Sequence, residues 1–367
     1  MPGLVNAHTH LDLSGPGPWP PAGADFRGWV GRVRELRSKA DAASRRQSIE
    51  RGIQLSLAGG TTLVGDIAGA PPDESIDLLR ASPLRGVVYI EFFGIGQGEA
   101  AASRAMQAAC ERWPSCERGV SLGLSPHAPY SCGPTVFESA ADLNRPVVTH
   151  LAETQAEVEL LRSGTGALRE MLEIDIGVWG DDVRVPGCHP VDAVIAPLQR
   201  AGGTAVHGNW LEERHIADLV HAGISLVYCP RASASFGHAP PMLPIHPWQA
   251  LHAAGGLVAL GTDSLLCLDT PDRISVLDEM RLLSQRDAIP SDTLLAMATV
   301  SGASVLGVDS AKVQIGPEAS GLIGCPIGDG FGETPRALLD RVLAGQEPPE
   351  WVLPPQKVLK QDIPTKF

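Results

Sequence analysis

Six side chains along this sequence are of the types that bind a divalent metal ion and activate water. They are His8, His10, His127, His150, His207 and Asp263. Imidazole nitrogens suit Zn²⁺ or Fe²⁺, and three imidazoles with one carboxylate leave a coordination position for water. Because a bound divalent ion lowers the pKa of that water to about 7, such a set is suited to hydrolysis near neutral pH.

Each of these residues taken alone is weak evidence. With 11 histidines in 367 residues, roughly 0.3 H-x-H triplets arise by chance, so the pair His8 and His10 proves little. A lone histidine at the end of a strand is more often a half-buried, hydrogen-bonded residue than a ligand. The argument therefore depends on where all six fall relative to the predicted strands.

Eight short segments rich in apolar and β-branched residues predict strands. They cover 3–8, 61–67, 86–93, 120–125, 146–150, 203–207, 224–228 and 257–262. Nearly continuous apolar runs are typical of parallel strands that are covered on both faces. Helical patterns lie between or after them, at 44–58, 99–112, 134–143, 154–174, 211–222, 247–254, 273–286 and 291–307. The alternation predicts an α/β fold, a (β/α)₈ TIM-type barrel with extra C-terminal helices.

The six ionisable residues lie at the C-terminal ends of the predicted strands or close behind them. In a parallel barrel these ends open on one face, where such enzymes build their sites. His8 and His10 are two positions apart on the first strand, so both side chains can point to that face and bind the same ion. Asp263 directly follows the eighth strand. The coincidence of six such residues at five strand ends is far less probable by chance than any single placement.

Two further assignments concern proton transfer and charge. Glu153 lies three residues beyond His150, where a carboxylate can point back to the barrel mouth and move protons. The ordinary alternative for Glu153 is a first-turn Glu favoured by the helix dipole. His207 could stabilise charge on the attacked centre. Four other histidines are interpreted as surface or packing residues, namely His215, His221, His246 and His252. The roles of His189 and His238 are left open.

Composition and charge exclude several classes of function. The net charge is −13 and no long basic run occurs, so a nucleic-acid partner is not expected. The seven cysteines are odd in number and widely spaced, which favours a reducing compartment over a disulfide framework. The start MPGLVNAHTHL lacks the pattern of a secretory signal, and no apolar run reaches the ~20 residues that span a bilayer. We expect a cytoplasmic protein without membrane contact.

The chain divides into two predicted regions. Residues 1–310 form the hydrolase barrel, and residues 311–367 form an irregular C-terminal extension. The strand and helix patterns weaken after about residue 310, and the tail from 348 is rich in Pro and Lys. Such a composition is typical of irregular or partly disordered segments.

Five motifs along the chain resemble a known family. They are NAHTH at 6–10, SPHAPYS at 125–131, THLAE at 149–153, VHGN at 206–209 and GTDS at 261–264. In this order they resemble the amidohydrolase superfamily, in its deaminase and chlorohydrolase branch with one metal. The resemblance implies one divalent ion, Zn²⁺ in the first place and Fe²⁺ as the alternative, bound by His8, His10, His150 and Asp263. It also implies catalytic roles for Glu153, His207 and Asp263.

Shorter matches indicate a substrate. HTHLDLSG at 8–15, FRGWV at 26–30, SPLRGVVYIEFFG at 82–94 and YCPR at 228–231 resemble 6-aminodeoxyfutalosine deaminases of a menaquinone pathway. The resemblance implies a small heteroaromatic amine, an adenine-type ring that loses its exocyclic amine, with His127, Glu91 and Arg231 as substrate-binding residues. Arg231 follows the seventh strand, where its guanidinium could pair with a substrate carboxylate; the alternative is a surface residue that caps a loop. A homodimer is kept open as the assembly.

The sequence departs from that family at both ends of the barrel. Members usually have a longer segment before the H-x-H triplet, which joins a C-terminal segment in a small β-sandwich. Here the first strand begins at residue 3, and GLIGCPIGDG at 321–330 is at most a remnant of the C-terminal part. We expect a missing or reduced sandwich, or a start assigned too far downstream.

Other functions stay open at this point. One alternative is an adenosine, S-adenosylhomocysteine or guanine deaminase, and another is a chlorohydrolase or amidase of the same branch. An alternative from a different class is a catalytically inactive scaffold that binds partners. A scaffold predicts the loss of a metal ligand or of Glu153, and neither loss is found in the sequence.

Overall fold

Eight parallel strands form the centre of the structure, a computed structural model that describes residues 1–238, 246–329 and 332–356. The barrel strands are β1 (Leu4–His10), β2 (Thr61–Ala68), β3 (Arg85–Phe92), β5 (Val120–Pro126), β6 (Val148–Leu151), β7 (Thr204–His207), β8 (Ser225–Tyr228) and β9 (Val258–Leu260). All eight predicted strands are present, each within about two residues of its predicted bounds. Two very short strands accompany them, β4 (Cys116–Glu117) and β10 (Asp263–Ser264).

Hydrogen bonds close these strands into a ring. β1, β2, β3 and β5 are neighbours in one sheet, and β6 to β9 are neighbours in another. A parallel bridge between Leu124 and Val147 joins β5 to the segment before β6. At the other junction β10 pairs with β1, and the Thr262 amide donates to the His8 carbonyl. The predicted barrel is therefore confirmed.

Alternate side chains of each strand face two different apolar layers. Val64 on β2 and Val88 on β3 pack in the same cluster as helix residues such as Ile53. Their neighbours Leu63 and Val87 belong to a second cluster. Because the side chains of a strand alternate between its faces, a continuous apolar run fills both the barrel interior and the contact with the surrounding helices.

Helices surround the barrel, and several differ from the predicted ones. They are α1 (Phe26–Lys39), α2 (Ala42–Ala58), α3 (Asp73–Ala81), α4 (Glu99–Arg112), α5 (Pro134–Asp142), α6 (Gln155–Ser163), α7 (Ala167–Glu170), α8 (Pro190–Ala201), α9 (Glu213–Ala222), α10 (Pro230–Ser235), α11 (Trp248–Ala253), α12 (Val276–Asp287), α13 (Ser291–Met297), α14 (Val300–Val305) and α15 (Pro335–Ala344). The predicted helix 154–174 is divided, because Gly164 ends α6 in the left-handed conformation at φ +71°. The helices α1, α3, α8, α10 and α15 were not among the predicted ones.

The region after residue 310 is more regular than predicted. Strands β11 (Leu322–Gly324) and β12 (Glu350–Leu353) form an antiparallel pair, with α15 between them. The Ile323 amide donates to the Met1 carbonyl, and the Met1 amino group donates to the Ile323 carbonyl. The prediction of irregular structure is therefore wrong for 322–324, 335–344 and 350–353, while 330–331 and 357–367 lie outside the described residues. The expected reduction of the sandwich corresponds to this two-stranded sheet of β11 and β12.

The hydropathy of the helices bears on membrane contact. Within the described ranges, every helix is too short or too polar to cross a bilayer.

Candidate active site

The strand ends bring six buried polar side chains together at the barrel mouth. We call His8, His10, His150, Glu153, His207 and Asp263 the rim cluster. None of the six is more than 7% exposed. The Asp263 Oδ1 atom lies 3.4 Å from His10 Nε2 and 3.8 Å from His8 Nε2, and His10 Nε2 lies 3.4 Å from His150 Nε2. The strands thus place side chains more than 250 residues apart in the sequence within contact distance.

The rim cluster passes a test for a divalent cation. Among the described residues, both ring nitrogens of His8 and His207 and the Nδ1 of His10 have no hydrogen-bond partner, although all are buried. Burial, and next the charge of His8, lowers the pKa of His150 to about 4, so its ring is neutral at pH 7. Imidazole nitrogens converge on one carboxylate, and His8, His10 and Asp263 offer ligand atoms within 4.8 Å of one another. A cation would satisfy these lone pairs, which are costly to leave buried and unpaired.

Backbone strain coincides with the same residues. His207 has a φ of +73° and Asp263 a φ of +57°, the left-handed region that residues other than glycine seldom adopt. Ala152, beside Glu153, has a φ of +51°. Such conformations persist where surrounding contacts hold them, and they cluster at functional sites.

Glu153 lies beside His207 in a position suited to proton transfer. Its Oε1 atom is 3.4 Å from His207 Nε2. Burial, and next the charges of Asp263 and Glu157, raises the pKa of Glu153 well above its usual value, so the carboxyl can hold a proton. The role of a first-turn helix Glu belongs instead to Glu157, whose amide donates to the cap residue Thr154. Glu157 also accepts the Glu153 amide at 2.9 Å and thereby holds the turn.

His127 and Glu91 lie next to the rim cluster, as predicted for substrate-binding residues. The His127 carbonyl accepts a hydrogen bond from Nδ1 of His150 at 2.8 Å, which directs the His150 Nε2 lone pair into the site. The Nδ1 of His127 is 2.6 Å from Ser131 Oγ, and its Nε2 is 3.8 Å from Glu91 Oε1. Both side chains line the cavity above the cluster, which is compatible with contact to a substrate.

Arg231 does not lie where the sequence predicted it. Its Nε donates to Glu279 at 2.6 Å, its Nη1 to Asp269 at 3.0 Å, and its Nη2 to the Ser275 carbonyl at 3.1 Å. It is buried and absent from the cavity lining. A guanidinium whose donors are already bound cannot receive a substrate carboxylate, so we correct that assignment. Arg231 joins the start of α10 to α12 instead.

A cavity of about 1080 Å³ opens above the rim cluster. Its upper walls are α1 and the residues 171–182, which we together call the roof. The roof contributes mostly apolar side chains, such as Phe26, Trp29, Leu172 and Trp179. A second pocket of about 400 Å³ adjoins it, and Tyr130 and Trp179 line both. The space is much larger than one heteroaromatic ring needs, and most of the extra space is apolar.

Sequence reasoning missed His246, which it interpreted as a surface or packing residue. His246 is 4% exposed. Its Nε2 donates to the carbonyl of the strained residue His207 at 2.8 Å, and its Nδ1 accepts the Trp248 amide at 3.0 Å. It also stacks on Tyr228, with ring centroids 3.8 Å apart. No local signal marks this role, because the bonded carbonyl lies 39 residues away.

Asn209, in the VHGN motif, was also not assigned a role. Its Nδ2 donates to the Glu153 carbonyl at 2.9 Å, and its Oδ1 accepts from Ser233 Oγ at 2.7 Å. The amide therefore ties the turn that carries Glu153 to the end of β7. Its place in a motif was the one available signal.

Comparison with known proteins defines the class to which this barrel belongs. The model of the amidohydrolase family matches residues 1–320. The chain therefore belongs to the amidohydrolase family, which is metal-dependent. Membership agrees with the strand-end position of the rim cluster, although the individual ligands stay a prediction.

Two relatives of similar sequence are named as deaminases. An aminodeoxyfutalosine deaminase of Deinococcus radiodurans is 30% identical over 330 residues, which cover 82% of this chain and 71% of the relative. A 5-methylthioadenosine/S-adenosylhomocysteine deaminase of Halobacterium salinarum is 26% identical over 336 residues, covering 87% and 71%. The solved structure of Helicobacter pylori aminofutalosine deaminase with methylthio-coformycin aligns with a TM-score of 0.74 at 21% identity, covering 96% of this chain and 85% of that one. At that identity the structural likeness bears on the fold alone.

Proposed function

We propose that this chain is a metal-dependent aminohydrolase that removes the exocyclic amine from an adenine-type ring. The observation that carries the proposal is the position of Glu153, a carboxyl with a raised pKa, 3.4 Å from His207 at the edge of a histidine–aspartate cluster. Hydrolytic deamination needs an activated water and a group that delivers protons to two different nitrogens. The rim cluster offers residues for both tasks under one cavity.

One divalent ion, Zn²⁺ in the first place, would be held by His8, His10, His150 and Asp263. Three imidazoles and a carboxylate suit Zn²⁺, and Fe²⁺ is the alternative. When bound, the ion supplies Lewis acidity that lowers the pKa of water. The buried ring nitrogens of His8 and His10 that lack partners among the described residues support the first two ligands of this set.

The chain's own residues manage the protons. Glu153 gives a proton to the ring nitrogen next to the attacked carbon, takes one from the adding water and gives it to the departing amine. It regains its own proton from the added hydroxyl as the carbonyl forms and ammonia leaves. Neutral His207 donates a hydrogen bond to the oxygen that adds to this carbon. Burial is the first cause of the strongly lowered pKa of His207, which keeps its ring uncharged for this role. His127 and Glu91 contact the substrate from the wall beside the cluster.

The proposed substrate is 6-aminodeoxyfutalosine. The relative from Deinococcus radiodurans supports it, as does a cavity with apolar space beyond the ring-sized part above the cluster. A second candidate is 5-methylthioadenosine or S-adenosylhomocysteine, favoured by the same apolar roof and by the relative from Halobacterium salinarum. Each candidate carries an adenine-type ring with an arm that the roof would cover.

A substrate panel tests the proposal. Protein loaded with Zn²⁺ is incubated with 6-aminodeoxyfutalosine, 5-methylthioadenosine, S-adenosylhomocysteine, adenosine, guanine and a chloro-s-triazine, and release of ammonia or chloride is measured. We expect the highest kcat/KM for 6-aminodeoxyfutalosine. Glu153→Gln protein that is purified and loaded in the same way serves as the inactive control. Highest kcat/KM for another aminopurine would overturn the substrate, and turnover of the chlorinated compound alone would overturn deamination.

A further inference from the structure

Helix α1 is an additional helix between β1 and β2, where α2 already connects the two strands. Six of the nine α1 residues that line the cavity lie on one stripe of the helix: Phe26, Trp29, Val30, Val33, Arg34 and Arg37. The spacing of three and four residues puts all six on one side of the helix. The stripe of α1 therefore lies over the cavity, and its residues Phe26, Trp29 and Val33 also pack in the second apolar cluster.

The two ends of α1 are held in different ways. Near its start Arg27 pairs with Asp175 of the roof and with Glu170 just before it, through side chains that are partly exposed. Exposed ion pairs of this kind stabilise little. Near its end Arg37 donates through Nε to Asp12 at 3.0 Å and through Nη1 to Glu91 at 2.9 Å. The Glu91 carboxylate is buried and the Asp12 carboxylate is largely covered, so water and salt screen these two ion pairs less.

Glu91 depends on Arg37 for its charge and its orientation. One oxygen of Glu91 accepts from Arg37, and the other lies 3.8 Å from His127 Nε2. Burial raises the pKa of Glu91, and the charge of Arg37 is the main influence that lowers it. Among the described residues, no Lys or Arg other than Arg37 pairs with Glu91. Without Arg37 the carboxylate would lose the group that fixes it beside His127.

We infer that Arg37 is a positioning residue that couples the seating of α1 over the cavity to the alignment of Glu91 beside His127. Its three carboxylate contacts on Asp12 and Glu91 use the planar fork that lysine lacks. The inference rests on the proposed function for its kinetic consequence, whereas the coupling between α1 and Glu91 can be measured without turnover.

The kinetic arm compares Arg37→Met, Arg37→Lys and the control Arg46→Met, which removes an exposed i,i+4 pair with Glu50 on α2. We expect Arg37→Met to lower kcat/KM about 30-fold or more, since one partner of a largely buried charge pair is lost. Arg37→Lys should recover part of the loss, and Arg46→Met should match the wild type. The double variant Arg37→Met/Glu91→Gln should be no worse than Glu91→Gln alone, because Arg37 acts through Glu91.

The second arm measures hydrogen–deuterium exchange of the peptides that cover residues 26–39. Exchange should be faster than wild type in Arg37→Met and also in Glu91→Gln, because coupling between two sites is reciprocal. Unchanged exchange in Glu91→Gln, or losses that multiply fully in the double variant, would overturn the inference. If Arg37→Met does not fold, both the kinetic and the exchange measurements are made on Arg37→Lys. If the wild type has no deaminase activity, the proposed function is wrong. The hydrogen–deuterium exchange result still decides whether α1 and Glu91 are coupled.

Discussion

The rim cluster and the roof meet across one cavity but are built in opposite ways. The rim cluster lies on strand ends and adjoining turns and is deeply buried and polar. The roof consists of helix α1, a short π-helix (Met171–Asp175) and the turns that follow it, and it presents mainly apolar side chains to the cavity. Partly exposed ion pairs join its two parts. Barrels place chemistry on rigid strand ends and leave selectivity to the segments that follow them. Changes in the rim cluster should therefore affect metal content and kcat, and changes in the roof should affect KM.

The largest effect should come from a ligand of the rim cluster. His150→Ala should lose bound metal and lower kcat/KM about 1000-fold or more, because the ion is worth several kcal/mol of transition-state stabilisation. Elemental analysis and turnover are measured on the same sample. The matched control is His221→Ala on the exposed end of α9, which should retain both. A His150→Ala protein with its full metal content would remove His150 from the ligand set.

Glu153→Gln should separate catalysis from metal binding within the rim cluster. The amide keeps the shape of the side chain but cannot move protons, so kcat should fall about 10²–10⁴-fold while metal content stays at the wild-type level. Glu159→Gln, on the exposed face of α6, is the control. A loss of less than about tenfold would contradict the role given to Glu153.

His246→Leu should show how far the support of the rim cluster extends. Loss of this hydrogen bond leaves the buried carbonyl of the strained residue His207 unpaired, which costs about 1–3 kcal/mol. We therefore expect kcat to fall about tenfold. Metal content and KM should change little. His246→Gln, which can still donate to this carbonyl, should recover much of the activity. Equal losses in both variants would indicate that packing on Tyr228 matters and the hydrogen bond does not.

The smallest effect should come from the roof. Trp179→Ala should raise KM for a substrate with a long apolar arm about tenfold, since part of an aromatic contact surface is lost, and should leave kcat and the KM for adenosine nearly unchanged. Ile174→Ala is the control, because Ile174 belongs to the same segment but is 69% exposed and does not line the cavity. A fall in kcat without a change in KM would mean that the roof also serves the chemistry.

Much of the fold could be predicted because barrel strands carry a strong local signal. A parallel strand covered on both faces must be apolar along its whole length, and segments such as 61–67 and 120–125 meet that demand without reference to the rest of the chain. Helix α1 was not predicted. Gly28, Gly31 and several charged residues weaken the helical pattern of this segment, and the helix covers a cavity that exists only once the barrel has closed.

The sequence by itself determined which side chains stand at the strand ends, since the period of a strand directs His8 and His10 to one side. Only the tertiary structure decided the direction of residues just beyond those ends. Arg231 follows a strand as His150 ends one, yet α10 turns it towards Glu279, 48 residues away. His246 becomes a support of His207 through a bond across 39 residues. Beyond a strand end, side-chain direction depends on the turn and on partners distant in sequence, and no local pattern contains either.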